Sequence, residues 1–269
     1  MNKIKVGMVV VALLGASQAA SAEDNGMLTK DDLLVGGGIG YYEYNEPDIS
    51  LKLKAPVVTI LGEKTWKISN GDFIRLAADY QYGKLDYSSS VSGTKNNNTN
   101  WIIGGRVVYG IDRQLQNGVL SPYAGLGYRY LYNDMRGTSS TGAVGYQREE
   151  SIYYLPIGLR YKTLWDSTAV SWNAEAGVVL DATQTTHFGD LGTPAGIAAG
   201  NVNFKQNAGY EIRLAAMATN GVWEYGPYLE YWNINKSETK TQTILGVPVS
   251  AWEPKNDTTD IGIRVSRHF

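Results

Sequence analysis

The 269 residues contain no cysteine, four phenylalanines and two histidines. The first absence excludes disulfides, whatever the compartment. The scarcity of histidine leaves His187 and His268 as the whole imidazole inventory for general-base or metal chemistry. An excess of one charge is missing too. The 24 Lys and Arg stand against 26 Asp and Glu, a formal net charge of −2, and no basic run offers a footprint for nucleic acid. Beyond residue 22 no apolar run is long enough for a membrane-spanning helix, and mean hydropathy is −0.25. Glycine, with 31 residues, and tyrosine, with 19, are abundant.

The N-terminus, MNKIKVGMVVVALLGASQAASAED, sets Lys3 and Lys5 before an apolar run from Val6 to Leu14 and then small residues. This is the order of a secretory signal peptide, and Ala20-Ser21-Ala22 fits its cleavage site. Residues 1–22 are therefore expected to be removed, leaving one domain over 23–269.

The body of the chain alternates with period two, the period of a strand. In YYLPIGLRYKT, Tyr153, Leu155, Ile157, Leu159 and Tyr161 share one face, with Arg160 and Lys162 on the other. In LSPYAGLGYRYLY, Leu126, Tyr128, Tyr130 and Tyr132 oppose Gly125, Gly127 and Arg129. The same split sets Ile74, Leu76 and Tyr80 against Arg75 and Asp79, and Trp101, Ile103 and Val107 against Arg106 and Asp112. It sets Trp172, Ala176 and Val178 against Glu175 and Asp181, and Tyr210, Ile212 and Leu214 against Glu211 and Arg213. It recurs with Trp223, Tyr225 and Leu229 against Glu224 and Glu230, and with Ile261, Ile263 and Val265 against Asp260 and Arg264. The apolar parity carries almost no charge, Arg267 being the exception.

A soluble sheet also alternates, so two further features decide which face looks inward. The polar face is rich in glycine, which a solvated face does not need and a crowded lumen does. Aromatics cluster on the apolar face near strand ends: Trp101, Tyr128, Tyr130, Tyr132, Tyr153 and Tyr231 at one level, Tyr109, Tyr161, Trp172, Trp223, Tyr225 and Phe269 at the other. Two aromatic belts flanking aliphatics mark a transmembrane β-barrel. The fold class expected is all-β, a transmembrane antiparallel up-and-down barrel. Only a closed sheet satisfies its backbone in lipid.

Ten strands are expected, with eight or twelve as alternatives, at about 32–45, 56–68, 72–88, 99–112, 119–134, 148–165, 168–183, 202–218, 222–237 and 256–269. The segment 56–68 alternates imperfectly, with Glu63 next to Lys64, and predicts a bulge or a register break. Short turns such as SNGD and TNG alternate with long polar loops, so the short-turn end and both termini are assigned to the periplasm.

With these features the chain resembles the small outer-membrane β-barrel proteins of Gram-negative bacteria, the OmpA-like and omptin-sized class. The most specific element is the last strand, IGIRVSRHF, whose alternation ends in Phe269. The resemblance implies an outer-membrane location, contact with lipid and lipopolysaccharide, and a C-terminal signal read by the barrel-assembly machinery. Ten-stranded relatives include omptin-type surface proteases and adhesins. Eight-stranded ones include OmpA-like anchors and lipid A-modifying enzymes.

The candidate site is the lumen charge network: Arg75, Asp79, Arg106, Arg129, Arg160, Lys162, Glu175, Asp181, Glu211, Arg213, Glu224, Glu230 and Arg264. Its near-balance of sign favours pairing into a plug over an ion-selective ring. An omptin-like protease would need His187 and Asp190 to face a second acidic pair. The loops SSSVSGTKNNNT and MRGTSSTGAVGYQ contain no acid, so no catalytic residue, metal or cofactor is assigned. The loops carry apolar residues, Ile197, Ile244, Leu245, Val247, Val249 and Trp252, which suit either a surface ligand or a cover for the mouth. An envelope-structural or interaction role is expected. A narrow, porin-like pore is the alternative and an outer-leaflet enzyme the second.

Overall fold

A computed structural model describes residues 27–69, 71–191, 200–206, 208–244 and 247–269. The expected signal peptide, Ile197 and Leu245 lie outside the described residues. The strands are β1 (Asp32–Glu46), β2 (Leu51–Lys67), β3 (Asp72–Ser89), β4 (Gly93–Ile111), β5 (Arg113–Leu115), β6 (Gly118–Thr138), β7 (Val144–Trp165), β8 (Thr168–Thr186), β9 (Val202–Lys205), β10 (Gly209–Asn220), β11 (Trp223–Ile234), β12 (Lys240–Ile244), β13 (Val247–Ala251) and β14 (Asn256–His268). Among the described residues, ten of them form one closed antiparallel ring: β1, β2, β3, β4, β6, β7, β8, β10, β11 and β14. The ring closes where β14 pairs with β1, from Leu34↔His268 to Asn45↔Asp257. β5 and β9 extend the ladders of β6 and β8, and β12 with β13 makes a separate hairpin.

The long strands fall into two halves with opposite polarity. In the half next to the short turns, aliphatics face out: Ile39, Ile60, Leu126, Ile157, Val178 and Ile263 are all exposed. In the half next to the loops the pattern reverses. Leu51, Leu53, Ala55 and Val57 of β2 are buried inside, while Lys52 and Lys54 are exposed. Leu85, Leu131 and Met135 likewise point in, beside exposed Lys84 and Arg136. A transmembrane strand needs only about 9–11 residues, and β3, β6 and β7 have 18, 21 and 22. The excess stands in water, where apolar-in and polar-out is the stable arrangement. The inward apolar residues build a cluster of Tyr42, Leu53, Val57, Leu85, Ile102 and Leu131. A second cluster joins Ile152, Tyr154, Val179 and Trp232.

This inversion corrects the reading of 56–68. β2 keeps one register against β1 throughout, with no bulge; its irregular alternation marks the crossing from water to lipid. Glu63 points into the lumen, and Lys64 faces outward near the short-turn rim. Register shifts occur instead at Leu85/Tyr87, Asp134/Gly137 and Tyr153/Tyr154. Two of the expected long loops are also strand: β3 and β4 meet across 90–92, and β6 and β7 across 139–143. Their Ser, Thr and Asn residues read as loop, yet they sit in ladders above the membrane. The strand expected at 202–218 is split into β9 and β10.

Both aromatic belts are present. Trp101 packs on Tyr80, Tyr130 and Tyr132, with centroids 6.4, 5.3 and 5.1 Å away, and Tyr128 on Tyr153 at 4.9 Å. At the other rim Tyr161 stacks on Trp172 at 5.9 Å. The Arg267 guanidinium lies 4.9 Å from the Phe269 ring centroid, where its long stem can carry the charge to the headgroups. Phe269 donates its backbone N–H to Leu33 at 2.8 Å, which ties the end of the chain to β1.

Candidate functional site: the lumen and its extracellular mouth

Alternation aims every second residue of each strand into the lumen, and glycine makes room for the large ones. The Tyr154 ring lies over Gly127, Tyr123 over Gly158 and Phe73 over Gly110, each filling the space a Cβ would occupy. Arg213 is the hub of the charge network. Its Nε donates to Glu211 Oε2 at 2.9 Å, its Nη2 lies 3.2 Å from Glu230 Oε1, and Glu175 Oε1 is 3.7 Å away. Glu175 also accepts from the Tyr123 hydroxyl at 2.8 Å and faces Arg106 Nη1 at 3.6 Å. Towards the periplasm, Glu63 Oε1 pairs with Arg75 at 2.8 Å and Arg160 at 3.7 Å. Towards the mouth, Arg129 Nη1 donates to Glu150 at 3.2 Å while its guanidinium lies 5.1 Å from the Trp232 centroid. Asp260 accepts from Gln81 Nε2 at 2.6 Å, and Arg264 sits 3.8 Å from the Tyr228 centroid. Asp79 lies against Gly104, and Lys162 is in the lumen near the periplasmic rim. Glu224 is 3.9 Å from His268, whose Nδ1 is 2.7 Å from Asp32. Asp112 tethers the N-terminal segment, accepting from the Thr29 backbone N–H at 2.5 Å and from Ser121 at 2.6 Å.

Asp181 does not belong to this set. The shift at Tyr153/Tyr154 makes Leu180 an extra residue, so Asp181 turns outward and meets Lys205 at 3.2 Å. A bulge reverses parity for everything beyond it. Sequence reading also missed Glu63, Glu46, Arg148, Glu150 and Glu253. The first four hold the inward parity of their strands and were readable by it.

The mouth is built from these missed residues. Arg148 Nη1 donates to Glu46 at 2.7 Å and to the Tyr44 hydroxyl at 3.2 Å; Tyr44 in turn donates to Glu46 at 2.6 Å. Glu253 accepts from Thr186 at 2.6 Å. Burial pushes its carboxyl above the ordinary glutamate value, with Arg148 opposing. Burial and then Glu253 raise the Tyr146 hydroxyl in the same way. Above this floor opens a cavity of about 440 Å³ that includes Leu51, Tyr87, Met135, Phe188 and Trp252 in its walls. Deeper lumen cavities are about 90 and 20 Å³.

His187 is not isolated from acids as its loop suggested. Its Nε2 is 3.2 Å from Glu149, an outward residue of β7, and Asp190 accepts the Gln147 backbone N–H at 3.1 Å. Neither His187 nor Glu149 lines the mouth cavity. Of the apolar loop residues, Val249 and Trp252 are exposed.

A closed ring of ten strands, an apolar girdle between aromatic belts and a charged lumen define an integral outer-membrane barrel. The chain belongs to the outer membrane protein beta-barrel domain family, whose model matches residues 7–208. No curated protein matches the chain. Among solved structures it is similar to the outer membrane protease OmpT from Escherichia coli, with 10% identity and a TM-score of 0.55 over 90% of this chain and 98% of that one. It is also similar to the translocator domain of the autotransporter NalP from Neisseria meningitidis, with 8% identity and a TM-score of 0.43 over 91% of each chain. At such identities the likeness to OmpT speaks for the fold and not for an activity.

Proposed function

We propose that the protein is a sealed envelope barrel that acts through its extracellular loops and mouth, in an interaction or structural role, rather than as an open pore or an enzyme. The observation that carries this reading is a set of polar chords across the lumen. Arg148–Glu46, Arg160–Glu63, Arg106–Glu175 and Gln81–Asp260 each join strands three to five places apart in the ring. Such pairs bridge opposite walls, where neighbouring-strand pairs would only line them. A barrel of about eight strands has an interior that side chains just fill, and here the chords and two apolar clusters occupy the modest extra width. An exposed Phe269 at the end of β14 suits recognition by the assembly machinery. Conductance of the purified protein in planar bilayers tests the reading. A silent membrane is expected; steady open steps would replace the sealed barrel with the narrow pore.

A further inference from the structure

We propose that the mouth cavity binds a small neutral molecule, a flat aromatic body with one carbonyl-type acceptor as its head. The inference goes beyond the sealed-barrel reading. It needs only that the cavity be reachable from outside, and the wall residues Val144 and Trp252 are exposed.

The lining is balanced in charge, with Glu46 and Glu253 against Arg148 and Lys95. Glu46 accepts from Arg148 and Tyr44, Glu253 accepts from Thr186, and Lys95 donates to Asn98 Oδ1 at 2.5 Å. An ion of either sign would give up its hydration for a site that holds no opposite surplus, and an unmatched charge leaves water at high cost. One polar valence is left over. Arg148 lines the deep end, 4% exposed, and bonds Glu46 and Tyr44 through Nη1. Its Nε, an N–H donor, has no partner among the described residues. A buried donor without an acceptor is costly, and the head that answers it without upsetting the charge balance is a neutral oxygen.

The rest of the wall specifies the body. Leu51, Tyr87, Met135, Tyr146, Phe188 and Trp252 line the space. Phe188 is held edge-on between Tyr146 and Phe204, with centroids 5.5 and 6.4 Å away. The Tyr87 hydroxyl is bonded to Ser92 at 2.5 Å, so its polar tip is already satisfied. Aromatic rings pack best against other rings, offset-stacked or edge to face, and a flat aromatic body can do both here. A cavity of about 440 Å³ with apolar walls and few polar groups has the size and character of a small-molecule site.

The test uses the folded, detergent-solubilised chain and four probes of one shape: 2-naphthamide, 2-naphthothioamide, 2-naphthoate and 2-naphthamidine. Calorimetric titration should show saturable binding of the amide, about tenfold or more tighter than the anionic naphthoate or the cationic amidine, because each ion brings one unmatched charge. The thioamide, whose sulfur is a poor acceptor, should bind severalfold more weakly than the amide. Val144→Trp, at an exposed position on the cavity wall, should weaken the amide by occlusion, which separates the cavity from uptake by the micelle. Trp252→Ala, also at an exposed position, should weaken it by removing one ring of the wall. Gel mobility before and after boiling verifies that each variant is a barrel. No saturable binding of the amide, an ion or the thioamide binding as tightly as the amide, or amide binding untouched by Val144→Trp would overturn the proposal. The expected order of probes in a barrel that conducts would support this site while removing the sealed-lumen reading.

Discussion

Leu126 and Gly127 are chain neighbours that face different media. Leu126 is 59% exposed on the outer wall, and Gly127 lies beneath the buried Tyr154 ring. Leu126→Arg should cost roughly 2–4 kcal/mol for a site near the bilayer midplane. Gly127→Ala should cost about 1–3 kcal/mol for a different reason, overpacking, because its Cβ would drive into a ring that has no free side to move to. Folding titrations into lipid vesicles measure both; a harmless Leu126→Arg would contradict the outward placement of that face. His187 shows the reverse kind of surprise. Its acid partner, Glu149, comes from a strand and not from a loop, so inspection of the loops could not find it. The pair lies outside the mouth cavity, and His187→Ala is expected to leave the barrel folded and any surface activity on peptides or labelled lipid A unchanged. An activity of the wild type that vanishes in the variant would instead make His187 a general base, worth about 10²–10⁴ in rate.

At the level of the strand, period-two alternation was enough to find all ten ring members, because a lipid-facing wall and a charged lumen leave opposite signatures. It failed where the medium changes along one strand. In β2 the apolar parity moves from Leu51, Leu53 and Val57 to Val58 and Ile60, which looks like a register break and is a change of solvent. Asp181 was misplaced by a single extra residue that no composition signal marks. The lumen network was legible residue by residue, but its partners were not, since chords depend on which strands oppose one another after closure. β7 and β1 are joined by one such chord, Arg148 to Glu46, with both side chains almost wholly buried. Arg148→Met should therefore cost about 3–5 kcal/mol by stranding a buried carboxylate, and adding Glu46→Gln should recover much of the loss. Denaturant unfolding of the two single variants and the double variant measures the coupling; additive losses would mean that the chord carries no interaction energy.

Among the described residues, the ten ring strands are held by a ladder that runs from β1 round to β14 and closes on itself. Such a ring should resist cold detergent and open only on heating, so unboiled and boiled samples should migrate differently on a gel. One band at the same position, with no β-rich circular dichroism, would count against closure. The reversal of polarity part-way up the wall gives the barrel a waterline written into its strands. Sinking by a step or two would drag Lys52, Lys54 and Lys84 below the surface, and rising would lift Trp172 and Trp223 away from the lower headgroups. The protein thus has a fixed draught. In a bilayer thicker or thinner than its girdle it cannot bob to a new level, and the surrounding lipid has to stretch or compress to meet it.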